Sequence, residues 1–184
     1  MELLRGFWET VKIFFLTLAF SLPLGLVVAF GSMSRFRPLK RLTQGFVWVI
    51  RGTPLMLQLF FFYFGLPFIP GIGQYLRMSS FTAAVLSFTL NYAAYFAEIF
   101  RGGLLSIDKG QYEVSHVLGL NSWQTMTRVI IPQMIRVTLP SIGNEAITLV
   151  KDTALVASIA LPELLHYAKG IVTRCLLYTS DAAD

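Results

Sequence analysis

Three long stretches without a charged residue set the main constraint on how this chain folds. They cover residues 13–34, 52–76 and 78–97. Each matches the roughly 20 predominantly apolar residues that an α-helix needs to cross the hydrocarbon core of a bilayer. Inside lipid, a chain must bond its own backbone polar groups, and a helix does this within a single segment. The stretches therefore predict an all-α membrane protein.

The composition and a fourth apolar segment support this prediction. Charged residues make up 14% of the 184-residue chain, whereas soluble domains carry about 25%. The fourth segment contains Arg136, Pro140 and Glu145, so we expect it to face protein or a water-filled path. The predicted spans lie near residues 13–34, 55–76, 79–100 and 133–150.

Basic residues predict how the spans are oriented, because cytoplasmic loops are enriched in lysine and arginine. Nine of them follow the first and third spans: Arg35, Arg37, Lys40, Arg41, Arg51, Arg101, Lys109, Arg128 and Arg136. The other side holds six: Arg5, Lys12, Arg77, Lys151, Lys169 and Arg174. The segments after the first and third spans are therefore expected in the cytoplasm. Since the net charge of +5 is spread along membrane boundaries, it does not indicate nucleic acid binding.

The segment 110–132, after the third span, has the pattern of two short amphipathic helices. Val114, Val117 and Leu118 are spaced as residues on one face of a helix. Gly119 follows at the position where a helix end favours a residue that tolerates positive φ. The first helix is therefore predicted to end at Gly119.

The second helix of this segment is predicted to begin with Asn121 or Ser122 as its N-cap and to be interrupted by Pro132. Gly103, before the segment, is expected to let the backbone turn out of the third span. Two helices joined by a glycine-containing turn also outline a DNA-binding motif. The flanking membrane spans argue against that alternative and favour a docking surface.

The sequence contains no motif for catalysis, ATP binding or metal binding. It has no Gly-Lys dipeptide, so the phosphate-binding loop Gly-x-x-x-x-Gly-Lys is absent. His116 and His166 are far apart and Cys175 is the single cysteine, so no metal-binding spacing occurs. An intramembrane protease or transferase is the enzyme-class alternative, and no residue pattern favours it. A transport subunit is predicted.

Ionisable residues in apolar segments need a partner or access to water. Arg101 lies three residues after Glu98 and is the predicted partner of that carboxylate. Glu145 has no basic residue three or four positions after it, so it is a candidate for a translocation path. A hydrogen bond to Thr148 is the alternative. The third span carries a polar and aromatic cluster for which substrate contact and helix packing both stay open. The candidate path residues are Asn91, Tyr95 and Glu145.

Glu113, Gly119 and Pro132 have a spacing that resembles the cytoplasmic loop of permease subunits in bacterial ABC importers. That loop follows the pattern Glu-Ala-Ala, three residues, Gly, nine residues, Ile, any residue, Leu-Pro. Four positions depart from it: Val114, Ser115, Val129 and Ile131. Three other segments resemble the permeases for polar amino acids: 51–58, 95–103 and 151–156.

This resemblance covers nearly all of residues 3–173 and implies the fold of a type I ABC importer permease. Such a bundle usually has five spans, so about four are expected here and the fifth is expected to be missing by truncation. The resemblance assigns residues 1–173 to the transmembrane domain and 101–132 to a cytoplasmic coupling loop. Residues 174–184 look like a non-native tail.

The resemblance implies an ATP-driven importer that moves polar amino acids by alternating access in the bacterial inner membrane. Its implied partners are two ATPase subunits, which bind ATP and magnesium, a second permease subunit, identical or different, and an extracytoplasmic substrate-binding protein. The residues expected to couple the chain to the ATPase are Glu113, Val114, Val117, Leu118, Gly119, Leu120, Trp123 and Pro132. An ion-coupled secondary amino acid transporter or a channel subunit is the alternative. A secondary transporter normally contains inverted repeats, and we find none.

Overall fold

The computed structural model describes residues 2–71, 73–159, 168–170 and 172–173, and its regular elements there are all helical. The all-α prediction is confirmed for this part of the chain. His166, Cys175 and the predicted tail lie outside the described residues. The α-helices are α1 (Glu2–Met33), α2 (Arg37–Gly52), α3 (Leu55–Phe60), α4 (Ser80–Ser106), α5 (Lys109–Val117), α6 (Ser122–Gln124) and α7 (Ile131–Asp152).

Tighter and wider helical turns complete the architecture. A π-helix over Phe61–Gly65 extends α3, and another over Thr125–Ile130 joins α6 to α7. Short 3-10 helices cover Leu66–Phe68, Gly73–Leu76 and Thr153–Ile159. The second predicted span, 55–76, is therefore a chain of short helical pieces.

The predicted number of membrane spans is partly confirmed. In the described part of the chain, two helices are long and apolar enough to cross a membrane: Leu4–Met33 of α1 and Ser80–Ser106, which is α4. The pair Arg37–Gly52 and Leu55–Phe68 meets the same criterion only when both are counted together. Helix α7 covers the fourth predicted span but is not among the helices that meet the criterion.

Helix α2 occupies the basic segment that follows the first span, where no helix was predicted. It starts after Phe36, with Pro38 near its first position, where the missing N–H is tolerated. It ends at Thr53, whose φ of −117° and ψ of 141° are extended. Proline disfavours the helical conformation in the residue before it, so Pro54 explains why the helix stops there.

The chain divides into two compact units. The first comprises the chain up to Ala19, Pro54–Thr89 and the described residues from Ile147 onward. Its core contains Ile13, Ala83 and Phe88, all fully buried. At its surface, Lys12 pairs with the Glu9 carboxylate at 2.6 Å and lies 5.3 Å from the centre of the Phe81 ring.

The second unit comprises Phe20–Thr53 and Leu90–Ala146 and contains the residues that the sequence singles out. Its core includes a stripe along α4, spaced every four residues: Tyr92, Phe96 and Phe100 are buried. The ring centres of Tyr92 and Phe96 lie 6.2 Å apart, and those of Phe96 and Phe100 lie 6.4 Å apart. This stripe holds α4 in place and leaves its polar side chains at fixed positions.

Gly103 lies inside α4, so the predicted turn at this residue is wrong. A Cβ atom at Gly103 would collide with Cγ2 of Thr138 and lie 3.0 Å from Cγ of Met134. The glycine therefore allows α4 and α7 to pack closely, as small residues do between membrane helices. Helix α4 continues to Ser106, whose hydroxyl donates a hydrogen bond to the Gly103 carbonyl at 2.8 Å.

Candidate functional site

The predicted double helix is present as a protrusion that we define as residues 108–130. Helix α5 begins after Asp108, whose Oδ1 accepts a hydrogen bond from the Gly110 N–H at 2.6 Å. An aspartate at this position both caps the free N–H groups and is favoured by the helix dipole. The helix therefore starts at Lys109, before Val114, the first residue of its apolar pattern.

The end of α5 is a Schellman motif, as its sequence predicts. Gly119 has a φ of +76°, the left-handed conformation that glycine adopts at little cost. The Leu120 N–H donates to the Ser115 carbonyl at 3.0 Å, and the Gly119 N–H donates to the His116 carbonyl at 3.0 Å. These two bonds satisfy carbonyls that a helix end otherwise leaves free.

A capping box follows this turn without a gap. The Asn121 side chain accepts a hydrogen bond from the Gln124 N–H at 2.8 Å, and the Gln124 side chain accepts one from the Asn121 N–H at 3.0 Å. This reciprocal pair identifies Asn121, one of the two predicted residues, as the N-cap of α6. The turn from Gly119 to Gln124 is thus bonded along its length and fixes the angle between the two helices.

Pro132 does not interrupt the second helix, contrary to the prediction. The π-helix Thr125–Ile130 continues directly into α7, and the Ile131 N–H bonds the Met126 carbonyl five residues earlier. This wider turn changes the hydrogen-bond register just before the proline, which has no N–H to donate. Residues 122–152 are consequently helical without a break.

Four large apolar side chains point away from the protein on this protrusion, and we call them the apolar ridge. Their exposed fractions are 57% for Val114, 88% for Val117, 72% for Leu118 and 75% for Trp123. Leu120 is half-buried, and Glu113 and Pro132 are exposed. Clustered exposed apolar residues mark surfaces that bind protein or membrane.

The base of the protrusion is held by polar contacts. Ser115 and Thr125 are buried, and the Ser115 hydroxyl donates to the Gln111 carbonyl at 2.6 Å. The Gln133 amide donates to the Gln111 side-chain oxygen at 3.1 Å and so ties α7 back to α5. A small cavity of about 210 Å³ lies nearby, lined by Tyr112, His116, Ser122, Thr125 and Met126.

A second group of candidate residues lies on α2 and α4. The Arg101 guanidinium donates to both oxygens of Glu98, at 3.0 Å to Oε1 and 2.6 Å to Oε2, which confirms the predicted pair. Arg51 also approaches Glu98, with 4.0 Å between Nη1 and Oε2. Its guanidinium lies 5.1 Å from the centre of the Tyr95 ring. We call Arg51, Glu98 and Arg101 the charged cluster.

Arg51 was not predicted as a site residue, although it counts among the basic residues that indicate orientation and begins the segment 51–58. A signal was nevertheless present. Gln44, Trp48 and Arg51 follow one another at i, i+4 and i+7, the spacing of a single helix face. In the structure this face borders a cavity of about 480 Å³.

The three candidate path residues have different surroundings. Tyr95 lines the 480 Å³ cavity together with Glu98. Asn91 is buried, with 5% of its surface exposed, and Glu145 is half-buried on α7. Neither residue lacks an interaction partner. Of the three candidate path residues, Tyr95 lines the cavity, whereas Asn91 and Glu145 do not.

Comparison with known proteins identifies the family. Residues 21–169 match the sequence profile of the binding-protein-dependent transport system inner membrane component. The chain belongs to this family. It is 40% identical to the probable amino-acid ABC transporter permease protein YckA of Bacillus subtilis, over 91% of this chain and 72% of that protein. It is 39% identical to the arginine transport system permease protein ArtQ of Bacillus subtilis, over 93% of this chain and 77% of that protein.

The fold is confirmed by a solved structure, a crystal structure of an amino acid ABC transporter with histidines. The TM-score is 0.81 at 36% sequence identity, over 94% of this chain and 78% of that chain. The predicted fold of a type I ABC importer permease is therefore correct. The family consists of membrane transport subunits, and ATPase activity belongs to separate subunits.

Proposed function

We propose that this chain is the membrane-spanning subunit of an ATP-driven importer for polar amino acids in the inner membrane of a bacterium. The observation that carries the proposal is the apolar ridge on a hydrogen-bonded turn. An exposed apolar surface of this kind is a liability unless a partner covers it. Similarity to permeases for arginine and other amino acids supports the substrate class.

In this proposal, the apolar ridge docks onto an ATPase subunit in the cytoplasm, and two such ATPase subunits bind the ATP and magnesium. Two permease subunits, either two copies of this chain or this chain with a similar one, form the pore. Closure of the ATPase pair on ATP draws the two protrusions together and opens the bundle outward, and hydrolysis resets it. A soluble binding protein delivers the amino acid at the outer face.

The basic residues after the first and third spans support a cytoplasmic position for the protrusion. Glu113, exposed beside the ridge, is proposed to meet a basic group on the ATPase. Asn91, Tyr95 and Glu145 are proposed to contribute to the translocation path. Of these three, Tyr95 has the strongest support, because it borders a cavity large enough for an amino acid.

Site-specific photocrosslinking tests the docking surface directly. A benzophenone amino acid replaces Val117 on the ridge, and a matched variant carries it at Leu42 on α2, where 72% of the side chain is also exposed. We expect Val117 to crosslink to a protein with the Gly-x-x-x-x-Gly-Lys motif, identified by mass spectrometry. Leu42 is expected to crosslink to lipid. Equal ATPase adducts at both positions, or none at Val117 in a transport-active membrane, would refute the assignment.

Uptake into proteoliposomes tests the transport activity itself. The complex purified through this subunit is reconstituted with its binding protein and given labelled L-arginine or L-glutamine. Uptake is expected to require ATP on the ATPase side and to persist when ion gradients are collapsed. Uptake driven by a proton or sodium gradient without ATP would establish the secondary-transporter alternative.

A further inference from the structure

The polar face of α2 borders a cavity that the docking function does not use. The cavity has a volume of about 480 Å³, and its wall combines Gln44, Arg51, Tyr95 and Glu98 with the apolar side chains of Val47 and Trp48. All of these residues belong to the second compact unit. Small-molecule sites in proteins have volumes of about 300–1,000 Å³ and carry a few placed polar groups on mostly apolar walls. The cavity has the size and the lining of such a site.

The charged cluster at this cavity is not neutral. It contains two guanidinium groups, on Arg51 and Arg101, and one carboxylate, on Glu98. Arg101 donates a hydrogen bond to each oxygen of that carboxylate, whereas Arg51 stays 4.0 Å away. Two guanidinium groups beside one carboxylate give the cluster a net positive charge, which attracts an additional anion.

Arg51 is placed to receive this anion. Its side chain is 43% exposed while it lines the cavity. The Tyr95 ring, 5.1 Å from the guanidinium, holds the side chain through a cation–π contact and leaves its N–H groups available. A planar guanidinium with parallel N–H donors is the side chain best matched to a carboxylate, which it binds through two hydrogen bonds.

We infer that Arg51 binds the α-carboxylate of the transported amino acid in this cavity, with Tyr95 positioning the guanidinium. The inference rests on the proposed function, and it names the substrate group that the permease itself recognises. All free amino acids carry this carboxylate whatever their side chain. Recognition at Arg51 therefore leaves side-chain selection to other residues or to the binding protein.

Direct ligand binding to the purified full-length permease in lipid nanodiscs tests this inference without the binding protein. The probe is labelled L-arginine, with unlabelled agmatine as competitor, because agmatine is arginine without its α-carboxylate. L-glutamine and 4-aminobutanamide form a second such pair. We expect the carboxylate-containing member to bind at least tenfold more tightly. In Arg51→Gln, this preference is expected to fall to about one, and Arg51→Lys is expected to retain part of it.

Arg37→Gln is the matched control, since Arg37 is an exposed arginine on α2 that does not line the cavity. It is expected to keep the full preference for the carboxylate. Tyr95→Leu provides a second test if Arg51→Gln does not fold, and it is expected to reduce the preference because the guanidinium loses its support. A purely structural role for Arg51 would weaken both members of each pair equally.

The outcomes separate this inference from the proposed function. An unchanged carboxylate preference in folded Arg51→Gln would overturn the role of Arg51, even if the complex imports amino acids with ATP. Loss of permease dimers in Arg51→Gln by native mass spectrometry, with the preference intact, would assign Arg51 to a subunit interface and also overturn it. Failure of ATP-driven uptake by the unmodified complex would instead refute the proposed function.

Discussion

The protrusion and the charged cluster lie in the same compact unit but are built in opposite ways. The protrusion is fixed by bonds between neighbours in sequence, such as those of Gly119 with His116 and of Asn121 with Gln124. The cluster joins Arg51 to Glu98, from two different helices. The outer surface of the protrusion is apolar, whereas the wall of the cavity carries the charged side chains of Arg51 and Glu98. A surface for protein contact and a site for a small polar solute require these two opposite arrangements.

Removing the single carboxylate of the cluster is expected to have the largest effect on stability. Glu98→Gln leaves two guanidinium groups facing each other and breaks the bidentate bond from Arg101. We expect the free energy of unfolding to fall by about 1.5–3 kcal/mol, the range for hydrogen bonds to charged groups. Thermal unfolding of the purified protein in detergent provides the measurement.

A double variant sharpens this prediction. The double variant Glu98→Gln, Arg101→Gln keeps Arg51 as the one charged group of the cluster, so its net charge is again that of the unmodified protein. Part of the lost stability is therefore expected to be recovered. If the stability losses of the two single variants add up to the loss of the double variant, Glu98 and Arg101 do not act as a pair.

Replacing the glycine in the turn is expected to have the next largest effect. Gly119→Leu places a side chain at a φ of +76°, which costs about 1–2 kcal/mol, although no atom lies within 4 Å of a Cβ there. We expect the spans to insert normally and ATP hydrolysis to lose its coupling to uptake. The measurement is the ratio of amino acid imported to ATP hydrolysed.

Two other glycine substitutions control for this prediction. Gly119→Asn is expected to be milder, because asparagine tolerates left-handed backbone. Gly45→Ala, in the interior of α2 with open space around it, is expected to be neutral or slightly stabilising. Normal coupling in Gly119→Leu would rule out a role for the turn geometry.

Removing the N-cap of α6 is expected to cost less. Asn121→Ala deletes the acceptor for the Gln124 N–H and is expected to lower stability by about 1 kcal/mol. Gln124→Ala removes the reciprocal bond. The unfolding free energies of the single and double variants form a cycle, and a coupling energy of zero would show that the capping box does not act as a unit.

The smallest effect on stability is expected on the apolar ridge. Val117→Ser changes a side chain that is 88% exposed, so the free energy of unfolding should change by no more than about 0.5 kcal/mol. Binding of the ATPase, measured by titration against the permease in nanodiscs, is nevertheless expected to weaken. Leu42→Ser on α2 is the matched control and should leave binding unchanged. Weaker ATPase binding by Leu42→Ser, with unchanged binding by Val117→Ser, would place the docking surface on α2.

The success of prediction from sequence follows the same division between local and distant contacts. The end of α5 at Gly119 was predicted, and the N-cap of α6 was narrowed to Asn121 or Ser122, because these signals lie within a few residues. Pro132 was misjudged, because a π-helix before a proline leaves no mark in apolar spacing. Arg51 was missed as a site residue because its importance depends on Tyr95 and Glu98, which only folding brings near.

The uninterrupted helix over residues 122–152 gives the molecule a mechanical property. Trp123 on the ridge and Glu145 on α7 lie on the same continuous helix, roughly 30 Å apart at about 1.5 Å of rise per residue. In the proposed function, a movement imposed on Trp123 is passed along this helix toward Glu145, and Pro140, which has no backbone N–H, marks the position between them at which the helix bends most easily.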